Sequence, residues 1–576
     1  MSNSREDRAA PSEPAAGAAP RSGGSWRTAC ANVGPPVLLC AILVALCVVQ
    51  SRLANFWIDE IYTYFVVADP SFTHMLGAEA DLINANPPLY FMAAWTWAKV
   101  FGVSEVALRL FSCLGFCVGA SSLWWLLKRT FGGWPALVGT FVVLLTSEQV
   151  TLHNCEARFY GLFFAETLLA TCLFAALCER KKAGPGLLLA NAVVHGALVT
   201  THYLGFLYCA GFLLAFGVVW ARDVRALGLR CGSILAGWLA FLPCVPGFLH
   251  HLAFGKPHGW ITPPQLHDLI DVYNTAHQNF VPVVLTLVVL ALLVEVLAGE
   301  AVVQVPQAAE NQRISSRKAL PLLILALCFL LLPVILWGFS KVFNPMFLAR
   351  YLLPPLLVSW SVILAFSAQR LCRSQRRRSD GMSAWVRMAL ATVPQIGFVA
   401  LTAFAIVFSA KYYLYASAGI ITPPWKQDNQ VLQAIDELPG DIPIVFVDTH
   451  AFFIFEHYSE RRRQFVLLVD KDWAFSASPD VPRPAPNSYQ IAMALKSRYA
   501  AKVREAADFW RENDRAIYLL GKNNQSLFEK QVLDEGFSSK SLFEASDASP
   551  VLVRSAVLVR KKNLTKIDSH RAGPVP

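Results

Sequence analysis

Asp59 and Glu60 stand side by side in "NFWIDEIYTYF" (55–65), between Trp57, Ile58, Tyr62 and Phe65. Two carboxylates among large apolar side chains are costly to keep charged beside a bilayer, and chemistry is one reason to keep them. A carboxylate at such a boundary can take the proton of an attacking hydroxyl when its pKa and reach suit the task. The plainer reading is local: Asp59 caps a short helix through "EIYTYFVV" and Glu60 complements its dipole.

Arg109 in "EVALRLFSC" and Arg350 in "FLARYLLPP" each open an apolar run. An arginine there can simply snorkel to the headgroups. Its planar fork of donors also fits phosphate, so two of them on one side of a membrane suit a lipid phosphate. Tyr351 follows Arg350 directly, Glu156 and Arg158 lie in "HNCEARFY", and His202 lies in "THY". Glu156 and Arg158 could pair with each other, and His202 reads as a hydrogen-bonded interfacial histidine rather than a metal ligand. His153, His250, His251 and His258 show no HExxH spacing. Asp470 and Asp472 form a DxD after the strand-like "FVLLV", but no glycine-rich phosphate loop accompanies them, and a solvated turn is the better reading.

The elements that must position these residues are set by composition. Of 576 residues, 55% are hydrophobic and 16% charged, which excludes an ordinary soluble protein and points to a polytopic membrane protein. The net charge of +10 does not imply nucleic acid, because Lys and Arg fall in short clusters between apolar runs. Residues 1–34 are rich in Ala, Pro, Ser and Gly and read as a disordered cytoplasmic tail; they delay the first apolar run too long for a secretory signal. None of the 13 cysteines lies beyond Cys372 and no CxxC occurs, so no disulfide framework is expected in the C-terminal part.

Candidate spans lie near 35–51, 106–127, 134–151, 159–178, 185–200, 203–221, 231–249, 281–299, 319–340, 351–369 and 386–410. The run "PPLYFMAAWTWAKVFG" (87–102) is apolar but short. If it does not span, "KR" (128–129), "ERKK" (179–182), "RDVRALGLR" (222–230), "QRISSRK" (312–318) and "RLCRSQRRR" (370–378) all fall inside; if it spans, all fall outside. The positive-inside rule therefore makes it an interfacial helix on the outer surface, within a first outward loop of 52–105. About eleven spans result. The same parity gathers Asp59, Glu60, Arg109, Glu156, Arg158, His202 and Arg350 on the outer side.

From about 411 the composition becomes that of a soluble domain, with helix in "VLQAIDELPGD" ending at Gly440 and in "SYQIAMALKSRYAAKVREAADFWREN". Strands are expected in "IPIVFVDT", "AIYLLG" and "PVLVRSAVLVRK". The expected organisation is a tail (1–34), a helical membrane domain (35–410) and a small α/β domain (411–576) on the outer face.

In this order, "WIDEIYTYFVVADPSF", "NANPPLYFMAAWTWAKVFGVSEVALRLFS", "HNCEARFYGLFFAETLL", "THYLGFL", "FLARYLLPPLL" and "PPWKQDNQVLQAIDELPGDIPIVFV" resemble the GT-C membrane glycosyltransferases. Within them, the chain is similar to the bacterial branch related to dolichyl-phosphate-mannose protein mannosyltransferases, glycosyltransferase family 39. The resemblance implies a mainly α, polytopic GT-C fold and an inner-membrane enzyme that moves one sugar from a polyprenyl-phosphate carrier to an acceptor hydroxyl on the outer face. It also implies that Asp59 and Glu60 are the catalytic pair and that Arg109 lies near the carrier phosphate. Eukaryotic members often carry His before the paired prolines, where this chain has Asn86, and nothing here suggests their β-trefoil insert. The acceptor therefore stays open between protein, lipid and cell-envelope glycan.

The residues support that chemistry independently. A polyprenyl monophosphate leaves readily, so transfer needs a base for the acceptor and cations for the phosphate. Asp59 is the expected base, with Glu60 assisting it or positioning the acceptor, and Arg109 and Arg350 are the clamps, with Glu156, Arg158, His202 and Tyr351 lining the substrate site. No cofactor is required, although a divalent cation beside Asp59 and Glu60 is compatible with the scheme. A transporter or lipid flippase would spread charges across the midplane and often carry repeats, and a membrane scaffold would leave these residues without a shared role.

Overall fold

The computed structural model describes residues 23–254, 261–274, 306–378, 407, 431–475, 486–521, 537–544, 553 and 555–561. The chain opens with helix α1 (Gly23–Leu53), followed by three short helices: α2 (Ile58–Val67), α3 (Phe72–Ala80) and α4 (Leu89–Phe101). Helix α5 (Glu105–Phe131) then crosses beside α1. Because α1 begins at Gly23 and runs through Pro35 and Pro36, residues 23–34 are helical rather than part of a disordered tail.

The short helices have chemical boundaries. Ser71 caps α3, its Oγ accepting from the His74 N–H at 3.3 Å, and Ser104 does the same for α5 from Ala107 at 3.3 Å. Helix α4 starts after Pro88 and stops at Gly102, whose φ of 83° suits a residue without Cβ. With 13 residues, α4 is too short to cross a bilayer core, which takes about 20.

Among the described residues, six helices are long and apolar enough to span: Val33–Leu53, Glu105–Phe131, Tyr160–Glu179, Val224–Ala253, Lys318–Val342 and Ala349–Arg370. Gly133–Thr146, Pro185–Thr201 and Gly205–Val219 are shorter apolar helices, each at a position where the sequence predicts a span. The expected spans 281–299 and 386–410 fall outside the described residues, apart from Val407.

Helix α5 and the helix Tyr160–Glu179 approach backbone to backbone. A Cβ on Gly161 would lie 1.8 Å from the Ser112 carbonyl oxygen, and one on Gly115 would lie 2.3 Å from Gly161. Small residues permit this contact, which substitutes for the hydrophobic drive that lipid does not supply. The glycine of "EARFYG" is thereby explained by packing.

The C-terminal part forms a six-stranded sheet of order β3-β2-β1-β4-β6-β5. Strands β1 (Ile444–Phe446), β2 (Phe465–Val469), β3 (Val503–Glu505) and β4 (Arg515–Leu520) are parallel, while β5 (Phe537–Glu544) and β6 (Ser555–Lys561) close one side antiparallel. Strands β3 and β5 fall where the sequence predicts helix or nothing. The helix after 430 ends at residue 436, short of Gly440. Asp470 caps the turn Lys471–Ala474, accepting from the Trp473 N–H at 2.8 Å, so the DxD serves local structure.

Candidate active site

The two adjacent carboxylates point to different places. Glu60 is fully buried, and its oxygens accept four hydrogen bonds: Oε1 from Arg109 Nε at 2.8 Å and the Ala157 N–H at 2.7 Å, Oε2 from Arg109 Nη2 at 2.6 Å and the Trp57 N–H at 3.2 Å. Burial lifts the Glu60 pKa; Arg109 and the Ala157 N–H oppose that. With four donors aimed at two oxygens, the group stands as a carboxylate. Arg109 spends its other bonds on the Ala54 and Asn55 carbonyls, at 2.8 and 2.9 Å. It is 2% exposed and lies over the Phe56 ring.

These bonds revise two sequence expectations. Arg109 is occupied by Glu60 and backbone, so it is not placed as a phosphate clamp, and Glu60 anchors the loop rather than assisting at Asp59. An acidic pair shared by one ion is also not what these side chains offer, since the Glu60 oxygens are taken. Among the described residues, no group of three His, Cys, Asp or Glu is arranged to hold a metal ion.

Asp59 faces the other way. Its side chain is 26% exposed, with Oδ2 3.9 Å from Arg158 Nη2. Arg158 Nη1 donates to the Asp59 carbonyl at 3.2 Å, to Thr63 Oγ1 at 3.0 Å and to Asn84 Oδ1 at 2.8 Å. Its Nε is buried without a hydrogen-bond partner. A guanidinium so held has one edge committed to the scaffold and one edge left for an anion. Asn84 reaches Arg158 from a turn in which Ala85 takes a φ of 46°, a left-handed conformation that costs a residue with Cβ.

Arg350 completes the cationic side. Its guanidinium lies 5.9 Å from the Trp57 ring centre and 5.6 Å from that of Tyr351, within electrostatic reach of Asp59, Glu156 and Tyr160. Tyr351 is held by its carbonyl, which accepts from the Tyr208 hydroxyl at 2.6 Å. Glu156 does not pair with Arg158: its Oε2 meets His153 Nδ1 at 2.8 Å, while His153 Nε2 meets Gln149. His202 sits between the rings of Phe159 and Tyr351, buried, and accepts the Leu204 N–H at Nδ1, which puts its proton on Nε2. Burial first, and then the charges of Arg158 and Arg350, push its pKa down to about 3. It is a neutral donor.

The structure thus gathers Asp59, Glu156, Arg158, His202, Arg350 and Tyr351, with Glu60 and Arg109 underneath. His250 and His251 lie elsewhere: His251 Nδ1 bonds the Tyr203 hydroxyl at 2.8 Å and its Nε2 bonds the Asp81 carbonyl at 2.8 Å. His258 is outside the described residues. Sequence reasoning missed Thr63, Asn84 and Tyr160. Thr63 stands four residues after Asp59 on one face of α2, and Asn84 opens "NANPPLY", so spacing and motif each held a faint signal.

The profile of the dolichyl-phosphate-mannose-protein mannosyltransferase family matches residues 85–250, which include Arg109, Glu156, Arg158 and His202. The crystal structure of ArnT from Cupriavidus metallidurans bound to undecaprenyl phosphate aligns with a TM-score of 0.53 at 14% identity, covering 94% of this chain and 99% of that one. The apo state of ArnT from the same organism gives 0.52 at 14% identity, over 92% and 98%.

Residues 85–250 are thus similar to that mannosyltransferase family, and the chain has the fold seen in ArnT. Comparison with curated proteins found no match. The profile match begins at Ala85, in the turn that aims Asn84 at Arg158, and leaves Asp59 and Arg350 outside its range.

Proposed function

We propose that the protein transfers a single sugar from a polyprenyl monophosphate to an acceptor hydroxyl at the outer face of the inner membrane. One observation carries the reading: a part-exposed carboxylate, Asp59, stands 3.9 Å from a guanidinium, Arg158, whose Nε has no partner, with Arg350 in electrostatic reach of Asp59. That is a base next to an anion site, at the end of a membrane domain. The undecaprenyl phosphate named in the ArnT structure is the kind of carrier such a site suits.

In the proposed step the acceptor oxygen attacks the anomeric carbon as the bond from that carbon to the phosphate oxygen breaks. The acceptor proton passes to Asp59, and both electrons of the broken bond leave with the phosphate. Arg158 and Arg350 stabilise the charge that grows on it, in a pocket where burial strengthens the interaction. Neutral His202 can donate from Nε2 without adding charge. Glu60 and Arg109 hold the base rather than touch substrate, which modifies the roles expected from sequence. The positive-inside pattern of the Lys and Arg clusters supports an outward-facing site and an outward C-terminal domain.

The test uses purified protein with three synthetic donors carrying the same sugar: a polyprenyl monophosphate, a polyprenyl diphosphate and a nucleotide diphosphate. Transfer to a mixed acceptor pool of envelope glycolipid and peptide is expected from the monophosphate. Transfer from the nucleotide donor instead would overturn the proposal.

A further inference from the structure

We propose that Tyr458, supplied by the C-terminal domain, is a positioning residue for Asp59. The inference rests on the reading of Asp59 as the base. The Phe56 N–H donates to the Tyr458 hydroxyl at 2.6 Å, and that hydroxyl donates to Glu105 Oε1 at 2.9 Å. Glu105 opens α5, one turn before Arg109 on the same helix. Arg109 holds the carbonyls of Ala54 and Asn55, and Glu60 holds the Trp57 N–H. Four successive residues before α2 therefore each have a backbone polar group fixed by a side chain, and Tyr458 fixes the one that the membrane domain does not.

The helix that ends in Tyr458, Thr449–Tyr458, also lies along α2. Phe453 meets Tyr62 and Phe65 edge-on at 6.2 and 5.8 Å between ring centres, and His457 meets Tyr64 at 4.5 Å. Aromatic contacts of this kind hold a helix down but leave it free to slide; the hydroxyl sets where its first turn starts. A base displaced by about an ångström can lose roughly a hundredfold in rate. The C-terminal domain is on this account part of the catalytic centre.

The test measures kcat, donor KM and melting temperature of the full-length enzyme in detergent. Tyr458→Phe should lower kcat by roughly tenfold to a hundredfold with donor KM unchanged. Glu105→Ala should do the same, and the double variant should be no worse than either, since both break one chain of bonds. Arg498→Ala removes another link of the same interface, the 2.5 Å ion pair with Asp81, and should lower the melting temperature but leave kcat alone. Wild-type kcat in Tyr458→Phe, additive losses, or an equal kcat loss in Arg498→Ala would each overturn the proposal. Should Tyr458→Phe not fold, Glu105→Ala alone decides by the same split. If Asp59→Asn still transfers sugar, the assignment of the base fails, whatever Tyr458 does.

Discussion

Glu60 and Arg109 are 49 residues apart in the chain and meet as a two-pronged buried ion pair, Nε to Oε1 at 2.8 Å and Nη2 to Oε2 at 2.6 Å. The pair joins the loop before α2 to the start of α5 and receives the Ala157 N–H from a third segment. Of the two adjacent acids, Glu60 is built into the scaffold and Asp59 is left part-exposed beside Arg158.

Arg109→Ala leaves Glu60 buried without its counter-charge, a loss of roughly 3–5 kcal/mol. Thermal unfolding in detergent should show a large drop in melting temperature, with activity lost in parallel. Arg109→Lys keeps the charge but only one prong and should fall between. A stable Arg109→Ala variant with a raised donor KM would instead make Arg109 the phosphate clamp that its sequence position suggests.

Arg158 and Arg350 carry the opposite expectation. Arg350→Ala and Arg158→Lys should raise donor KM by roughly tenfold or more, the worth of a charge-assisted bond, with smaller changes in stability. Steady-state kinetics against donor concentration separates this from a general loss of fold. Unchanged donor dependence in both would return Arg350 to a headgroup anchor and leave Arg158 a scaffold residue.

Much of this was legible in the sequence, and what was not has a physical reason. Apolar length finds membrane helices well, because a spanning segment must satisfy its own backbone; every expected span inside the described residues is occupied by an apolar helix. The charge parity that puts Asp59, Arg158, His202 and Arg350 on the outer side was enough to suspect a site. The direction of each side chain was not, since successive helical residues point about 100° apart and only the fold pairs Glu60 with Arg109 across 49 residues. Strand β5 was missed because "FSSKSLFE" is an edge strand with polar outward positions. Tyr458 was invisible because its partner Phe56 is 402 residues away.

Glu79, on α3, is 3% exposed, and its Oε1 has no hydrogen-bond partner. Burial raises its pKa well above the usual carboxylate value. The folded state therefore keeps a proton that the unfolded chain releases once pH passes the ordinary Glu range, so stability falls as pH rises from there. Glu79→Gln should flatten the decline of melting temperature with pH between mildly acidic and neutral conditions. An unchanged slope would mean that Glu79 is ionised in the fold.

His202 works in the opposite sense. With its pKa held near 3, the folded state stays neutral while the unfolded chain takes up a proton below about 6.5. Stability should therefore be present in full above that value and decline as pH falls toward the folded pKa. His202→Gln should remove this acid-side loss in a melting-temperature series; an identical acid limb would assign the loss to other groups.

The central claim is that Asp59 takes the acceptor proton. Asp59→Asn keeps size and leaves the Glu60–Arg109 anchor intact, but cannot accept that proton. The measurement is the single-turnover rate of sugar transfer from a saturating synthetic polyprenyl-monophosphate donor by purified Asp59→Asn, with donor binding checked in the same preparation. Transfer should slow by roughly 10²–10⁴ with donor affinity preserved. Near-normal transfer by Asp59→Asn would contradict it.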